Sequence, residues 1–373
     1  MDLELLDRTL ASNGQPAFRA RQVWEWAAKG ASGYEQMTNL PAPLRAWLAK
    51  SVPFSSLALR EERTASDGTV KALFATADGR PVEAVLMRYR PPSRGAGGRH
   101  SICVSSQSGC PLTCTFCATG RMKFGRNLVA SEIVDQALHF RRMGPIDHCV
   151  FMGMGEPMLN LDNVLAACER LPDIGITHRR TAISTVGWIP GIEALAEQDM
   201  PLRLALSLHA ADEALRSELM PVNERYPLAD VIDACRAFYE RKRRRVFVEY
   251  VMLAGVNDRY EQAVALAKIL SPTHPKPRGA GGPSTLKGTS EQPRMFKVNL
   301  IPYNPTGGHS PASPTRAAGG ARAGDGDIYQ GSSRDSIAAF KGALEARGIQ
   351  ATVRLTRGRD IDAACGQLAA KAA

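Results

Sequence analysis

The sequence lacks the features that would send a chain into a membrane or out of a cell. No apolar stretch approaches the roughly 20 residues of a transmembrane helix. The start, MDLELLDRTL, is acidic and has neither the basic nor the apolar region of a signal peptide. The eight cysteines therefore point to a reducing cytoplasm, where clustered thiols bind metal or react rather than form structural disulfides. A second Cys-x2-Cys knuckle is also missing, and with it the commonest structural zinc pattern.

Three of the cysteines stand together. Cys110, Cys114 and Cys117 have the spacing Cys-x3-Cys-x2-Cys in GCPLTCTFCATG, and Gly109, Pro111 and Gly120 mark this run as loop rather than core. Three thiolates can hold three irons of a 4Fe–4S cluster and leave the fourth open to a small chelating molecule. A zinc ion completed by His148 or His209 is the alternative that spacing alone leaves standing.

The 373 residues are enough for one large domain and a smaller one, and 44% hydrophobic with 23% charged residues is ordinary for a globular chain. A net charge of +10 and a pI near 9.3 favour a polyanionic partner such as nucleic acid.

Residues 1–60 read as a helical module. Phe18, Val23, Trp24 and Trp26, then Leu44, Trp47 and Leu48, form apolar faces separated by Arg19, Arg21 and Lys50, as in an RNA-contacting module or a cap on the core. Residues 61–95 read as a β-hairpin extension, TVKALFAT and PVEAVLMRY about Asp78-Gly79, followed by the linker PPSRGAGGR. From about residue 96 to 373 strands and helices alternate: HSICVSS, HCVFMGM, TAIST, LALSLH, RVFVEYVML and FKVNLIPY, with TVRLT as a further strand. This predicts an α/β fold, a partial (β/α)6 TIM-like barrel with its ligand site at the carboxyl ends of the strands. Residues 272–293 and 305–327 are rich in Pro, Gly, Ser and Ala and read as flexible insertions. Arg241, Arg243, Arg244 and Arg245 end a helix and read as a solvated face or dipole partner.

Polar residues follow the predicted strands where a barrel places its site. They are Gly155 and Glu156 after the second, Ser184 after the third, Ser207-Leu208-His209 after the fourth and Asn304 after the sixth. One such residue is usually structural; several at successive strand ends make a ligand pocket. Cys149, Cys168 and Cys235 lie in apolar patterns and read as core.

CVSSQSGCPLTCTFCATG, MGMGEPMLNLDNV, AISTVGWIP, LSLHA, VEYVMLAGVND, NLIPYNP and VRLTRGRDIDAACGQL occur in this order. Together they resemble the RlmN/Cfr family of radical S-adenosylmethionine (SAM) RNA methyltransferases, from about Phe18 to near the C-terminus apart from the insertions. The resemblance implies a [4Fe–4S] cluster on Cys110, Cys114 and Cys117, and SAM used twice per turnover at Gly155, Glu156, Ser184, Ser207, Leu208, His209 and Asn304. It implies that Cys365 accepts a methyl group and carries it to an adenine, that Cys103 releases the product through a transient disulfide, and that Glu83 takes the ring proton. Without the resemblance, Cys103 and Cys365 would read as packing cysteines and Glu83 as an exposed hairpin carboxylate.

The implied substrates are an adenosine of 23S ribosomal RNA and the adenosine beside the tRNA anticodon. The RlmN branch methylates carbon 2 and the Cfr branch carbon 8; carbon 2 is expected here from the RlmN-like N-terminal module. A radical SAM enzyme acting on a non-RNA substrate, or a zinc-stabilised RNA-binding protein, are the competing readings. A flavodoxin or ferredoxin system is the expected electron donor, and the protein is expected to be a monomer with no membrane association.

Overall fold

A computed structural model of the chain describes residues 1–89, 98–271, 295–306 and 328–369. The insertion expected at 272–293 lies outside the described residues, as does that at 305–327 except for Pro305 and Thr306.

The centre is a 10-stranded sheet. Its first strands, β1 (Leu57–Thr64), β2 (Val70–Thr76) and β3 (Pro81–Tyr89), form an antiparallel meander, and β3 pairs antiparallel with β4 (Arg99–Cys103). Two short strands, β5 (Gln107–Ser108) and β6 (Arg126–Asn127), pair with each other and flank the cysteine loop. From β4 the sheet continues in parallel through β7 (His148–Phe151), β8 (Thr181–Thr185), β9 (Arg203–Ser207), β10 (Val246–Met252), β11 (Phe296–Pro302) and β12 (Ala351–Val353).

The meander differs from the expected two-stranded hairpin. The N-terminal helices α1 (Leu3–Ser12), α2 (Phe18–Lys29) and α3 (Ala42–Ser51) end before the expected boundary at residue 60, and β1 takes over. In β1 only Leu57 is buried, while Arg60, Glu61, Glu62 and Arg63 suit a charged edge strand that resists pairing with another chain.

The alternation along the parallel strands explains the barrel. Ile183, Leu204, Leu206, Val248, Tyr250, Val298 and Leu300 pack in the main hydrophobic core. Their strand neighbours Ala182, Ser184, Ala205, Ser207, Glu249 and Asn299 line interior cavities. Large apolar side chains thus face the helices, and small or polar ones face the lumen. The crossovers are α4 (Ala130–Arg141), α5 (Leu161–Ile174), α6 (Ile189–Glu197), α7 (Glu213–Leu219), α8 (Leu228–Lys242), α9 (Tyr260–Leu270) and α10 (Arg334–Glu345). Cys149, Cys168 and Cys235 are fully buried in this core, as expected.

Helix α2 docks on α4 and α5. Val23 is buried without exposure, a contribution of about 1.5–3 kcal/mol for a side chain of this kind. Trp24 is also buried and donates from Nε1 to Asp173 Oδ2 at 2.7 Å. Among the described residues, no helix is long and apolar enough to cross a membrane.

After β12 the chain does not add another strand. Residues 354–369 return across the meander: Asp360 Oδ2 accepts from Ser66 N at 2.9 Å, Asp67 Oδ2 from Gly358 N at 3.1 Å, and Asp362 O from Lys71 Nζ at 3.2 Å. This strap carries Cys365.

Candidate active site

The cysteine loop is tightly folded. Gly109 has φ +76°, and a Cβ there would lie 2.5 Å from Lys123 O, so any side chain would displace the neighbouring backbone. Cys110, Cys114 and Cys117 line one cavity of about 160 Å³ with Gly155, Glu156, Ser184, Ser207 and His209. Loop and strand ends, far apart in sequence, are therefore brought together.

Burial pushes the Cys110 thiol up to about 12 and raises Cys114 well above the usual thiol range, with Cys117 and Cys110 adding to the effect on Cys114. Such sulfurs ionise when a cation replaces the proton, as in metal loading. Among the described residues, no group of three His, Cys, Asp or Glu side chains is arranged to hold one ion. A cluster fits that arrangement, because each thiolate binds a different iron rather than sharing one centre. Asn304 Oδ1 is buried without a hydrogen-bond partner, an acceptor available to a donor group of a ligand. The donor set therefore fits an iron–sulfur cluster with a chelating small molecule beside it.

The strand-end residues are held in different ways. Glu156 is buried; its Oε1 accepts from Met158 N at 3.0 Å and its Oε2 from Val186 N at 2.9 Å. Burial raises its pKa to about 7 against the lowering effect of those N–H groups. Its carboxylate thus also organises two turns, besides offering the expected acceptor. Ser184 and Ser207 hydroxyls lie 3.2 Å apart. His209 has φ +60°; its Nδ1 accepts from Val251 N at 3.0 Å, which assigns the ring proton to Nε2. Burial, then the Arg216 guanidinium, lowers its pKa to about 3, so the ring is neutral. Leu208 is completely buried in the main hydrophobic core and is not among the lining side chains, so any contact it makes would be through its backbone.

Cys365 lines the cysteine pocket and also a smaller adjoining cavity, which Cys103 and Asn304 share. The strap is fastened to the cysteine loop itself. Ala118 N donates to Gly366 O at 2.8 Å, Thr119 Oγ1 to Leu368 O at 2.5 Å, and Asn304 Nδ2 to Cys365 O at 3.3 Å. Burial, then Cys365, pushes the Cys103 thiol up to about 12, so it is a neutral thiol at rest.

Glu83 departs from the exposed hairpin carboxylate read from its residues alone. It is buried, because β3 lies inside the sheet between β2 and β4. Its Oε2 accepts from Ala369 N at 3.0 Å and its Oε1 lies 3.1 Å from Lys71 Nζ. It joins the meander to the strap and does not line the cysteine pocket.

No pattern in the sequence marks Arg354. It lines both cavities and lies 3.7 Å from Glu249 Oε2, and Cys365 is the largest influence holding its pKa above the ordinary range. The first arginine of VRLTRGRDIDAACGQL stands out from Arg357 and Arg359 only once the strands are seen to pack around the cavity.

Two comparisons by sequence and one by structure agree with this site. Residues 104–267 match the Radical SAM superfamily, and residues 1–53 match the ribosomal RNA large subunit methyltransferase N-terminal domain. The chain is 43% identical to the probable dual-specificity RNA methyltransferase RlmN of Chloroflexus aurantiacus, over 99% of this chain and 92% of that protein. It is 39% identical to the dual-specificity RNA methyltransferase RlmN of Anaeromyxobacter sp., over 100% of this chain and 90% of that one. The crystal structure of a radical SAM methyltransferase from Sphaerobacter thermophilus superposes with a TM-score of 0.81 at 39% identity, covering 100% of this chain and 98% of that one. With a three-cysteine loop at the mouth of a partial barrel and the matching N-terminal domain before it, the chain belongs to the RlmN family of radical SAM RNA methyltransferases.

Proposed function

We propose that the protein methylates carbon 2 of an adenosine in 23S ribosomal RNA and of the adenosine beside the tRNA anticodon, with Cys365 as methyl carrier and Cys103 as the releasing thiol. The observation that carries this reading is that Cys365 lines both the cysteine pocket and the cavity of Cys103. A carrier has to face the source of its carbon and the group that frees its product. That the relatives are named dual-specificity RNA methyltransferases supports RNA as the substrate and more than one target.

Cys110, Cys114 and Cys117 would hold the cluster, and Gly155, Glu156, Ser184, Ser207, Leu208, His209 and Asn304 would hold SAM. When bound, these groups supply an electron and a 5′-deoxyadenosyl radical, the means of attacking an adenine carbon that is not nucleophilic. Cys365 takes a methyl group by displacement, a step suited to sulfur; that methyl gives up one hydrogen atom to the radical, and its carbon then bonds to the base. Neutral His209 and the hydroxyls of Ser184 and Ser207 offer hydrogen bonds without adding charge to the pocket. Glu83 accepts the ring proton. Cys103 then bonds to the Cys365 sulfur as the sulfur–carbon bond breaks; its electron pair passes to the departing carbon, which takes up a proton. The elevated pKa of Cys103 keeps it from reacting before the base is attached.

The reaction runs on the protein as a cytoplasmic monomer, fed by a flavodoxin or ferredoxin system. Mass spectrometry of ribosomal and transfer RNA after reaction with SAM tests the assignment: a methyl on carbon 2 of adenine is expected, and a methyl on carbon 8 would overturn it. Cys103→Ala should accumulate a covalent protein–RNA adduct through Cys365. Normal turnover by that variant with no adduct would refute the two-cysteine route, and a fully active Glu83→Ala would remove Glu83 from the proton step.

A further inference from the structure

The lumen of the barrel has a second mouth, at the amino ends of the strands. Its cavity of about 560 Å³ rises to Met152, Glu249 and Arg354, which also line the cysteine pocket from the other side. It stays open because Ser101, Ala182 and Ala205, at inward positions midway along β4, β8 and β9, are too small to fill the lumen. Below them the inward positions change character: Arg99, Arg180, Arg203 and Lys297 line the mouth.

These cations do not compensate acids or helix ends. Arg241 pairs with Glu197 and Arg243 with Glu240, as solvated helix-end arginines do, and Arg245 bonds to Gln350. By contrast, Arg99, Arg180, Arg203 and Lys297 have no side-chain hydrogen bond or ion pair among the described residues. All four line the same cavity, with Arg203 close to Arg180 and to Arg244. Burial and then Arg180 lower the pKa of Arg203, and burial, Arg179 and Arg203 lower that of Arg244. Of the acidic groups nearby, Asp147 pairs with His148, and Glu249, which lines the inner end of this cavity, accepts from Asn299 at 2.8 Å and lies 3.7 Å from Arg354. Like charges gathered at a cavity mouth are unfavourable until an anion enters.

We propose that this lower mouth binds a phosphorylated ribonucleotide, its phosphate held by Arg180, Arg203 and Lys297. The aromatic rings support a base as well as a phosphate. Arg99 and Arg357 lie over the Tyr89 ring at 4.1 and 5.2 Å, and Arg203 lies 5.8 Å from the Phe247 ring centre, so a base would stack on these planar guanidinium groups and on Phe247. The volume is that of a small-ligand pocket, which admits a single nucleotide and excludes a helix. The site is independent of the methyl-transfer reading. Its ligand is either a free nucleotide or the terminal nucleotide of a single-stranded RNA, which share this chemistry.

Isothermal titration calorimetry on the cluster-loaded protein tests it, with AMP, ATP, inorganic phosphate and a 5′-phosphorylated RNA tetranucleotide as probes. At least one nucleotide probe should bind, and the double variant Arg180→Ala/Arg203→Ala should weaken it by at least about tenfold, given loss of two phosphate contacts. Ala205→Leu, which fills the lumen without removing charge, should weaken it similarly, and unchanged melting temperatures certify both folds. Tight binding of AMP or ATP identifies a free nucleotide; binding of the tetranucleotide alone identifies an RNA end. Absence of binding by all probes, binding insensitive to both variants, or inorganic phosphate binding as tightly as AMP would overturn the proposal.

Discussion

The two ends of one barrel use the same strands for opposite electrostatics. At the carboxyl ends the lumen presents the thiols of Cys110, Cys114, Cys117 and Cys365, the hydroxyls of Ser184 and Ser207 and a neutral imidazole, and the buried carboxyl of Glu156 is half-way to neutral near pH 7. At the amino ends it presents Arg99, Arg180, Arg203 and Lys297, which form no ion pair among the described residues. A step of two residues along a strand, as from Arg203 to Ala205 to Ser207, changes the interior from cationic to open to neutral polar. The upper chemistry needs groups that do not quench or compete with a radical and a thiolate, whereas the lower one concentrates charge for an anion. Strand period, not domain addition, separates them.

The sharpest way to test the separation is to destroy one end alone. Cys114→Ser should remove most of the iron and lower RNA methylation by more than about a thousandfold, as for loss of an essential catalytic group. It should leave AMP or tetranucleotide binding at the lower mouth unchanged in calorimetry. Arg354 touches both ends, so Arg354→Met should break the comparison. The rate of RNA methylation should fall by about tenfold to a hundredfold with iron content unchanged, since Arg354 lines both cavities beside Cys365. Arg354→Lys should restore part of that rate, which a purely steric role would not predict.

The next effect is on stability against pH. Glu156 has a folded-state pKa of about 7, above its unfolded value of 4.5, so the folded state binds more protons between those limits. Its contribution is present below about pH 4.5 and is lost as pH rises through 7. Glu156→Gln should remove that slope, flattening urea-derived stability between pH 5 and 8 by about 2–3 kcal/mol relative to the parent. An identical slope in both proteins would show that burial of Glu156 has no energetic consequence. The smallest change lies far from either mouth: Trp24→Phe deletes the hydrogen bond to Asp173 and should cost about 1 kcal/mol in thermal or urea unfolding. Methylation by the folded fraction should not change.

The upper end was largely legible in the sequence because its parts are local signals. The cysteine spacing, and polar residues directly after apolar strands, mark positions that parallel strands bring together. β1 was not legible, because an edge strand of Arg60, Glu61, Glu62 and Arg63 carries almost no buried face and hence no period-two pattern. The burial of Glu83 was also hidden: a hairpin reads as solvent-exposed until the sheet continues past it through β4. The lower mouth is the extreme case. Arg99, Arg180, Arg203 and Lys297 are separated by whole crossovers, and only the packing of the parallel strands around one cavity makes them neighbours.

The strap has a further consequence for how the protein is assembled. Ala118 and Thr119, which grip Gly366 and Leu368, directly follow the third cysteine of the loop. On the proposed roles of the loop and of Cys365, seating of a cluster and presentation of the carrier sulfur would be one maturation event rather than two, since the residues that follow Cys117 hold the strap. Iron-depleted protein should offer its last residues to proteases, and an arm left unlatched would leave Cys365 open to stray oxidation until the centre is built.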